Sequence, residues 1–213
     1  MQVVIRHCTH SKNSETKQRP STFDKQALFL ALVDSVPSSI PIHIVLDSSC
    51  SHFVEKCSRV IVHKKALGSD AASYREVLRL VSTFPPSETV VLLEDDYKVS
   101  SDWIQYIDDG LQFADYVTLY DHPDKYSTAY DSLVSKVFHG KLHWRTTPST
   151  TNSFACKVQT LLDDKDIHLE STMNGPVTID HNKFMQLWNK NRKLVSSIPG
   201  KWSHEESGMT CAV

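Results

Sequence analysis

The sequence predicts an α/β domain with a central, mostly parallel sheet of about six strands flanked by helices. Three observations predict it. Short apolar runs alternate with amphipathic segments along the first half of the chain, the pattern of strand–helix–strand units with right-handed crossovers. The run Val90-Val91-Leu92-Leu93 is apolar without interruption, as a strand buried on both faces of a parallel sheet must be. It ends in consecutive acids, Glu94-Asp95-Asp96, and open α/β sheets carry their ligands at the carboxyl ends of such strands.

Gln2–Cys8, Ile42–Asp47, Arg59–His63, Thr89–Leu93, Asp115–Leu119 and Thr150–Ala155 read as strands. Between them, Phe23–Val33 places Phe23, Ala27, Leu28, Leu30 and Ala31 on one helical face, with Ser21 and Thr22 as caps. Ala71–Val81 repeats that spacing through Tyr74, Val77, Leu78 and Val81. Trp103–Phe113 and Lys183–Asn191 are further helical segments, and Pro85-Pro86 stops the chain before the central strand. Lys141–Ser153 and Asp163–Pro176 are polar and irregular. They read either as loops that shape a pocket or as a less regular half of the fold.

A chain of 213 residues can bury a core without staples, and no repeat or low-complexity linker divides it. One domain over residues 1–213 is expected. Its last segment, Gly208–Val213, lacks a closing element, as in the N-terminal domain of a longer polypeptide. A formal charge of −2, from 23 basic and 25 acidic residues, argues against nucleic acid as the main partner. No apolar stretch reaches transmembrane length, and the N-terminus lacks signal-peptide architecture. The five cysteines, Cys8, Cys50, Cys57, Cys156 and Cys211, form no C-x-x-C pair. They read as mostly free thiols in a reducing, cytoplasmic compartment.

Adjacent acids at a strand end repel one another, and burial makes each charge costlier. A divalent cation relieves both problems, and hard oxygen donors suit magnesium or manganese. The plain alternative is a solvated acidic turn. If the backbone stayed extended, Glu94 and Asp96 would share one face and Asp95 would take the other. No Walker A loop follows Gly68-Ser69-Asp70, and no G-x-G-x-x-G occurs, which argues against P-loop NTPases and NAD dehydrogenases. Nucleotide-sugar transfer then leads. It uses a cation as a Lewis acid at the leaving diphosphate, and a base for the acceptor hydroxyl if the sugar is inverted.

The order of Asp47 after a strand, Gly68-Ser69-Asp70 entering a helix that carries Arg75, and then Leu93-Glu94-Asp95-Asp96 resembles the GT-A glycosyltransferases, whose "DXD" element has Glu-Asp-Asp variants in several inverting members. More closely, nearly the whole chain resembles the glycosyltransferase domain that chlorella viruses encode, implicated in glycosylating the major capsid protein. Thr118–Tyr126, His143–Thr151 and Ser197–His204 carry that likeness. The resemblance implies a UDP-sugar donor, Mn²⁺ or Mg²⁺ as cofactor, a glycan or glycoprotein acceptor, and the host cytoplasm as the compartment.

Residue by residue, the resemblance makes Asp96 the main metal ligand, with His204 as a late imidazole ligand. Glu94 and Asp95 become donor contacts, and Asp47 the acid that reads uracil or ribose. Asp70 and Arg75 contact nucleotide or diphosphate, although an arginine on an amphipathic helix is also an ordinary surface residue. Asp180 is the candidate base, its plain alternative being a helix N-cap. Asp121, Glu205 and Glu206 are the other candidates. Trp144 and Tyr120 suit either sugar stacking or the core. Asp163, Asp164 and Asp166 read as solvated loop charges. Two rivals stay open: a metal-dependent nucleotidyltransferase, and a non-catalytic nucleotide- or glycan-binding module. The first lacks its Gly-rich basic signature here, since Arg6–Arg19 contains no glycine.

Overall fold

A computed structural model of the chain describes residues 1–8, 17–48, 52–127, 135–211 and 213; Cys50 lies outside them. The first strands are β1 (Gln2–Cys8), β2 (Ile42–Asp47), β3 (Ile61–Lys65) and β4 (Thr89–Glu94). They pair in parallel in the order β3-β2-β1-β4. The apolar runs of β1, β2 and β4 are buried because both faces are covered, whereas the edge strand β3 is largely exposed. Val3, Ile5, Val91 and Leu93 enter one core, while Val4, Val90 and Leu92 enter the other. Helix α1 (Lys25–Ser35) covers the first face with Phe29, Leu32 and Val33. Helix α2 (Asp70–Val81) covers the second with Tyr74, Val77, Leu78 and Val81. The cap of α1 is Asp24, whose side chain accepts from the amides of Gln26 and Ala27, rather than Ser21 or Thr22.

The sheet is larger and more mixed than the expected six mostly parallel strands. Among the described residues, β6 (Tyr116–Thr118), β7 (Val137–His139), β8 (His143–Thr146), β9 (Phe154–Lys157) and β10 (Leu194–Ile198) extend it to nine strands, ordered β3-β2-β1-β4-β9-β6-β10-β8-β7. β9 runs antiparallel between β4 and β6, and β8 is antiparallel to both of its neighbours. Two short strands, β5 (Tyr97–Val99) and β11 (Trp202–His204), form a separate antiparallel ribbon. The expected helix Trp103–Phe113 is a 3₁₀ turn, Trp103–Tyr106, followed by one α-helical turn, α3 (Ile107–Gly110). The stretch Asp163–Pro176 contains the end of α4 (Val158–Asp163) and α5 (Lys165–Glu170). Helix α6 spans Asp180–Asn189, starting earlier than the apolar spacing suggested.

Three side-chain expectations are decided by burial. Trp144 and Tyr120 are core residues, 0% and 1% exposed; the Trp144 indole donates to Asp109 Oδ2 at 2.7 Å. Asp164 is not a solvated loop charge. It is fully buried, accepting from Tyr116 Oη at 2.9 Å, Lys190 Nζ at 2.6 Å and Arg192 Nε at 2.7 Å. Those partners offset the cost of burying it. Among the described residues, no helix is long and apolar enough to cross a membrane, and Cys57, Cys156 and Cys211 are free thiols.

Candidate functional site

The acidic triplet sits where β4 stops. Glu94 is the last strand residue, and Asp95-Asp96 form the turn into β5. The alternation expected of a continuing strand therefore does not hold, and each acid has its own partners. Register places Arg6 of β1 opposite Glu94, and the two form an ion pair. The same guanidinium reaches Asp70 Oδ1 at 2.5 Å and the Asp70 carbonyl at 3.0 Å. Asp95 Oδ2 accepts from the Cys8 amide and from Lys25 Nζ, both at 2.9 Å. Asp96 Oδ2 accepts from Lys17 Nζ and Arg19 Nη2, each at 2.9 Å, and lies 3.1 Å from His204 Nε2. Its other oxygen, Oδ1, is buried without a partner among the described residues.

The electrostatics follow from burial and pairing. Burial pushes Glu94 up to about 7, against the pull of Arg6. Burial opposes the Arg6 charge as well, but Glu94 and Asp70 outweigh it and hold the guanidinium above its usual range. Burial also works against the Asp96 charge, yet His204 and Lys17 outweigh it and keep Asp96 well below the ordinary carboxylate range. His7, fully buried beside Asp95 and packed against Phe29, His52 and Phe53, is lowered to about 4 by burial and stays neutral.

Asp96 and His204, 108 residues apart in sequence, meet because the β5–β11 ribbon pairs Tyr97 with His204. The Glu205 amide closes the contact by donating to the Asp96 carbonyl at 2.9 Å. The imidazole lies on the Tyr97 ring, with centroids 5.0 Å apart and planes at 14°, which fixes its orientation. Lys17 Nζ occupies the centre of this group, 2.9 Å from Asp96 Oδ2, 3.3 Å from His204 Nε2 and 3.6 Å from Glu206 Oε2. An ammonium there marks a place that suits a cation. The enclosed, unpartnered Asp96 Oδ1 supplies a further donor. Carboxylate and imidazole suit Mn²⁺. Among the described residues no three His, Cys, Asp or Glu side chains form a complete cage. One or two protein ligands are what Mg²⁺-like ions take when substrate phosphates and waters supply the rest. Asp96 and His204 are the residues that would hold such an ion, in the place that Lys17 Nζ takes here.

The remaining predicted residues fall into distinct places. Asp47, at the end of β2, accepts from the amides of Leu67 and Gly68 at 2.7 and 2.9 Å. It fixes the turn that leads into α2, where Gly68 adopts φ +74°. Asp70, the first residue of α2, accepts from the Thr178 amide at 2.8 Å and from the Thr178 hydroxyl. Arg75 is exposed on α2 and donates to the Thr172 carbonyl at 3.0 Å. Asp121 belongs to another network, with Arg145 at 2.6 Å and Tyr126 at 2.5 Å.

Asp180 opens α6, and Ile179, not Asp180, is the N-cap. A quarter of its side chain reaches solvent, but Oδ1 is enclosed without a hydrogen bond. Burial raises its pKa, with Lys183 and Arg6 opposing and Asp70 reinforcing the rise. Asp180 in turn acts on Glu94 and Arg6. The structure thus gathers Glu94, Arg6, Asp70 and Asp180 into one electrostatic group beside the Asp96–His204 pair. Sequence reasoning missed Arg6, Lys17, Arg19, Lys25, Asn152 and Lys183. Basic residues near a strand end, opposite an acidic cluster, were the available signal.

No protein-family model matches the chain, and no curated protein matches it in sequence. Solved structures do match. GalNAc-T7, crystallised with UDP, GalNAc and Mn²⁺, superposes with TM-score 0.62 at 9% identity, covering 95% of this chain and 42% of that one. TarS from S. aureus gives TM-score 0.52 at 14% identity, covering 92% of this chain and 34% of that one. A nucleotidyl transferase from Methanothermobacter gives 0.54 at 11% identity, covering 92% of this chain and 87% of that one. The chain spans less than half the length of GalNAc-T7 and about a third of TarS. At such identities the likeness is one of fold, and that fold is the α/β architecture of the GT-A glycosyltransferases.

Proposed function

We propose that the chain is a UDP-sugar-dependent glycosyltransferase. It moves a hexose or deoxyhexose, glucose- or rhamnose-like, to a hydroxyl of a glycan or glycoprotein acceptor, with inversion. The observation that carries this reading is the pairing of Asp96 with His204 at the carboxyl end of β4. A second carboxylate, Asp180, shares Glu94 as a neighbour with Asp96, and its enclosed Oδ1 has no hydrogen-bond partner among the described residues. Asp96 and His204 would hold Mn²⁺ or Mg²⁺, which acts as a Lewis acid on the departing diphosphate. Lys17 and Arg19 bring positive charge to the same place. Glu94 and Asp95, fixed by Arg6 and Lys25, line the donor side, and Asp47 and Asp70 shape the turn into α2.

In the transfer step the acceptor oxygen gives its proton to Asp180 and bonds to the anomeric carbon. The bond from that carbon to the diphosphate oxygen breaks, and its electron pair leaves with UDP. A role in viral capsid glycan synthesis is the finer form of this proposal, supported by the sequence resemblance at Thr118–Tyr126, His143–Thr151 and Ser197–His204.

A nucleotidyltransferase is the second reading, favoured by the fold shared with the Methanothermobacter enzyme. A panel of UDP-sugars with Mn²⁺, scored for UDP release, separates the two. Release from at least one donor, increased by an acceptor glycan, is expected. Pyrophosphate release from UTP and a sugar 1-phosphate, with every UDP-sugar left intact, overturns the glycosyltransferase reading.

A further inference from the structure

Lys183 is the most unusual side chain near the site. It is 1% exposed, in the first turn of α6, three residues after Asp180. A buried ammonium is costly unless it is paired, and an apolar residue would fill this space at no electrostatic cost. Its Nζ lies over three rings: 4.6 Å from the Tyr74 centroid, 5.0 Å from Phe184 and 5.4 Å from Phe154. It donates to Asn152 Oδ1 and, at 3.4 Å, to Tyr74 Oη. Its remaining neighbour is Asp180 Oδ1 at 3.8 Å, the enclosed oxygen that has no hydrogen bond.

We propose that Lys183 is the positioning residue for Asp180, fixing the orientation and the charge of that carboxylate for the acceptor hydroxyl. The inference rests on the transferase reading, in which Asp180 is the base. The cage explains why lysine stands here. Three rings and Asn152 leave the ammonium little freedom, so the charge faces Asp180 from one direction. Asn152, 3% exposed, holds the ammonium from the other side, its amide oxygen accepting from Lys183.

The groups acting on Asp180 come from every element around it. Arg6 of β1 and Lys183 of its own helix favour the charged form, while Asp70 of α2 disfavours it. Asp180 in turn raises Glu94 of β4 and Tyr74 of α2. Burial lowers Lys183 to about 8, with Asp180 opposing, so the ammonium persists at neutral pH. Arg6 is already engaged by Glu94 and Asp70, whereas Lys183 has no other carboxylate within ion-pair reach among the described residues.

The test uses the full chain with Lys183→Met and Lys183→Gln. Met suits the apolar cage, and Gln keeps a polar contact to Asn152, so the two share only the loss of charge. In both, the acidic limb of the transfer rate should move to higher pH by about one to three pH units. The turnover number on the acidic limb should fall at fixed pH in step with that displacement, with the donor KM unchanged. A limb that stays in place in both variants overturns the proposal. The ¹³C carboxyl titration of Asp180 gives the same answer without turnover: its midpoint should rise in both variants, and an unmoved midpoint overturns the proposal. Wild-type protein that transfers no sugar from any UDP donor defeats the transferase reading instead, so the two failures are distinguishable.

Discussion

In the proposed transferase, Asp180→Asn should lower sugar transfer by about 10²- to 10⁴-fold, the usual worth of a general base, with UDP affinity held at the wild-type value. The asparagine amide occupies the same volume but cannot take the acceptor proton. Asp180 does not cap its helix, so removing its charge does not cost a capping bond. Losing its charge relieves desolvation of the enclosed Oδ1 but leaves the buried Lys183 ammonium without its carboxylate, so urea unfolding of the variant accompanies the rate measurement. Initial rates and UDP calorimetry on the same preparation check both halves. Near-normal turnover would move the base to another carboxylate, with Asp121 next in line. Asp121, however, is already committed to Arg145 and Tyr126.

Arg6→Met should destabilise the fold by about 3–5 kcal/mol, the cost of leaving partly buried charges without their partner. Glu94 and Asp70 are 22% and 25% exposed in their side chains, so the lower end of that range applies. Urea unfolding at pH 7 measures the loss. The pH dependence has a defined sign. Glu94 holds its proton more tightly folded, to about 7, than at its ordinary value of 4.5. The folded state therefore binds more protons in that window, and this group's contribution to stability falls as pH rises through it. Removing Arg6 deepens that fall. Adding Glu94→Gln to Arg6→Met should recover part of the loss at pH 7 and flatten the dependence. A single variant as stable as wild type would mean that solvent, not Arg6, neutralises both acids.

How far the sequence could be read depended on what burial does to each segment. β1, β2 and β4 were legible because strands covered on both faces contain almost only apolar residues. α2 was legible because one face meets the core. β8 and β10 were not: each carries polar residues inside a wide sheet, where Arg145 pairs with Asp121 and Ser197 donates to the Leu119 carbonyl. β5 and β11 have three residues each, too few to show a period. The Asp96–His204 pair spans 108 residues, and only family resemblance, not spacing, reached it. Lys183 and Asp164 were hidden for one reason. A pattern read from hydrophobicity assigns charged residues to solvent, whereas these two are buried and compensated by specific partners.

In the proposed reading, Asp96 with His204 makes a cation-dependent UDP site at the end of β4. Calorimetric titration of UDP, with and without Mn²⁺, into wild type and Asp96→Asn tests it most directly. Mn²⁺ should tighten UDP binding to wild type, and Asp96→Asn should lose that enhancement. UDP affinity that responds neither to Mn²⁺ nor to Asp96→Asn would contradict the account.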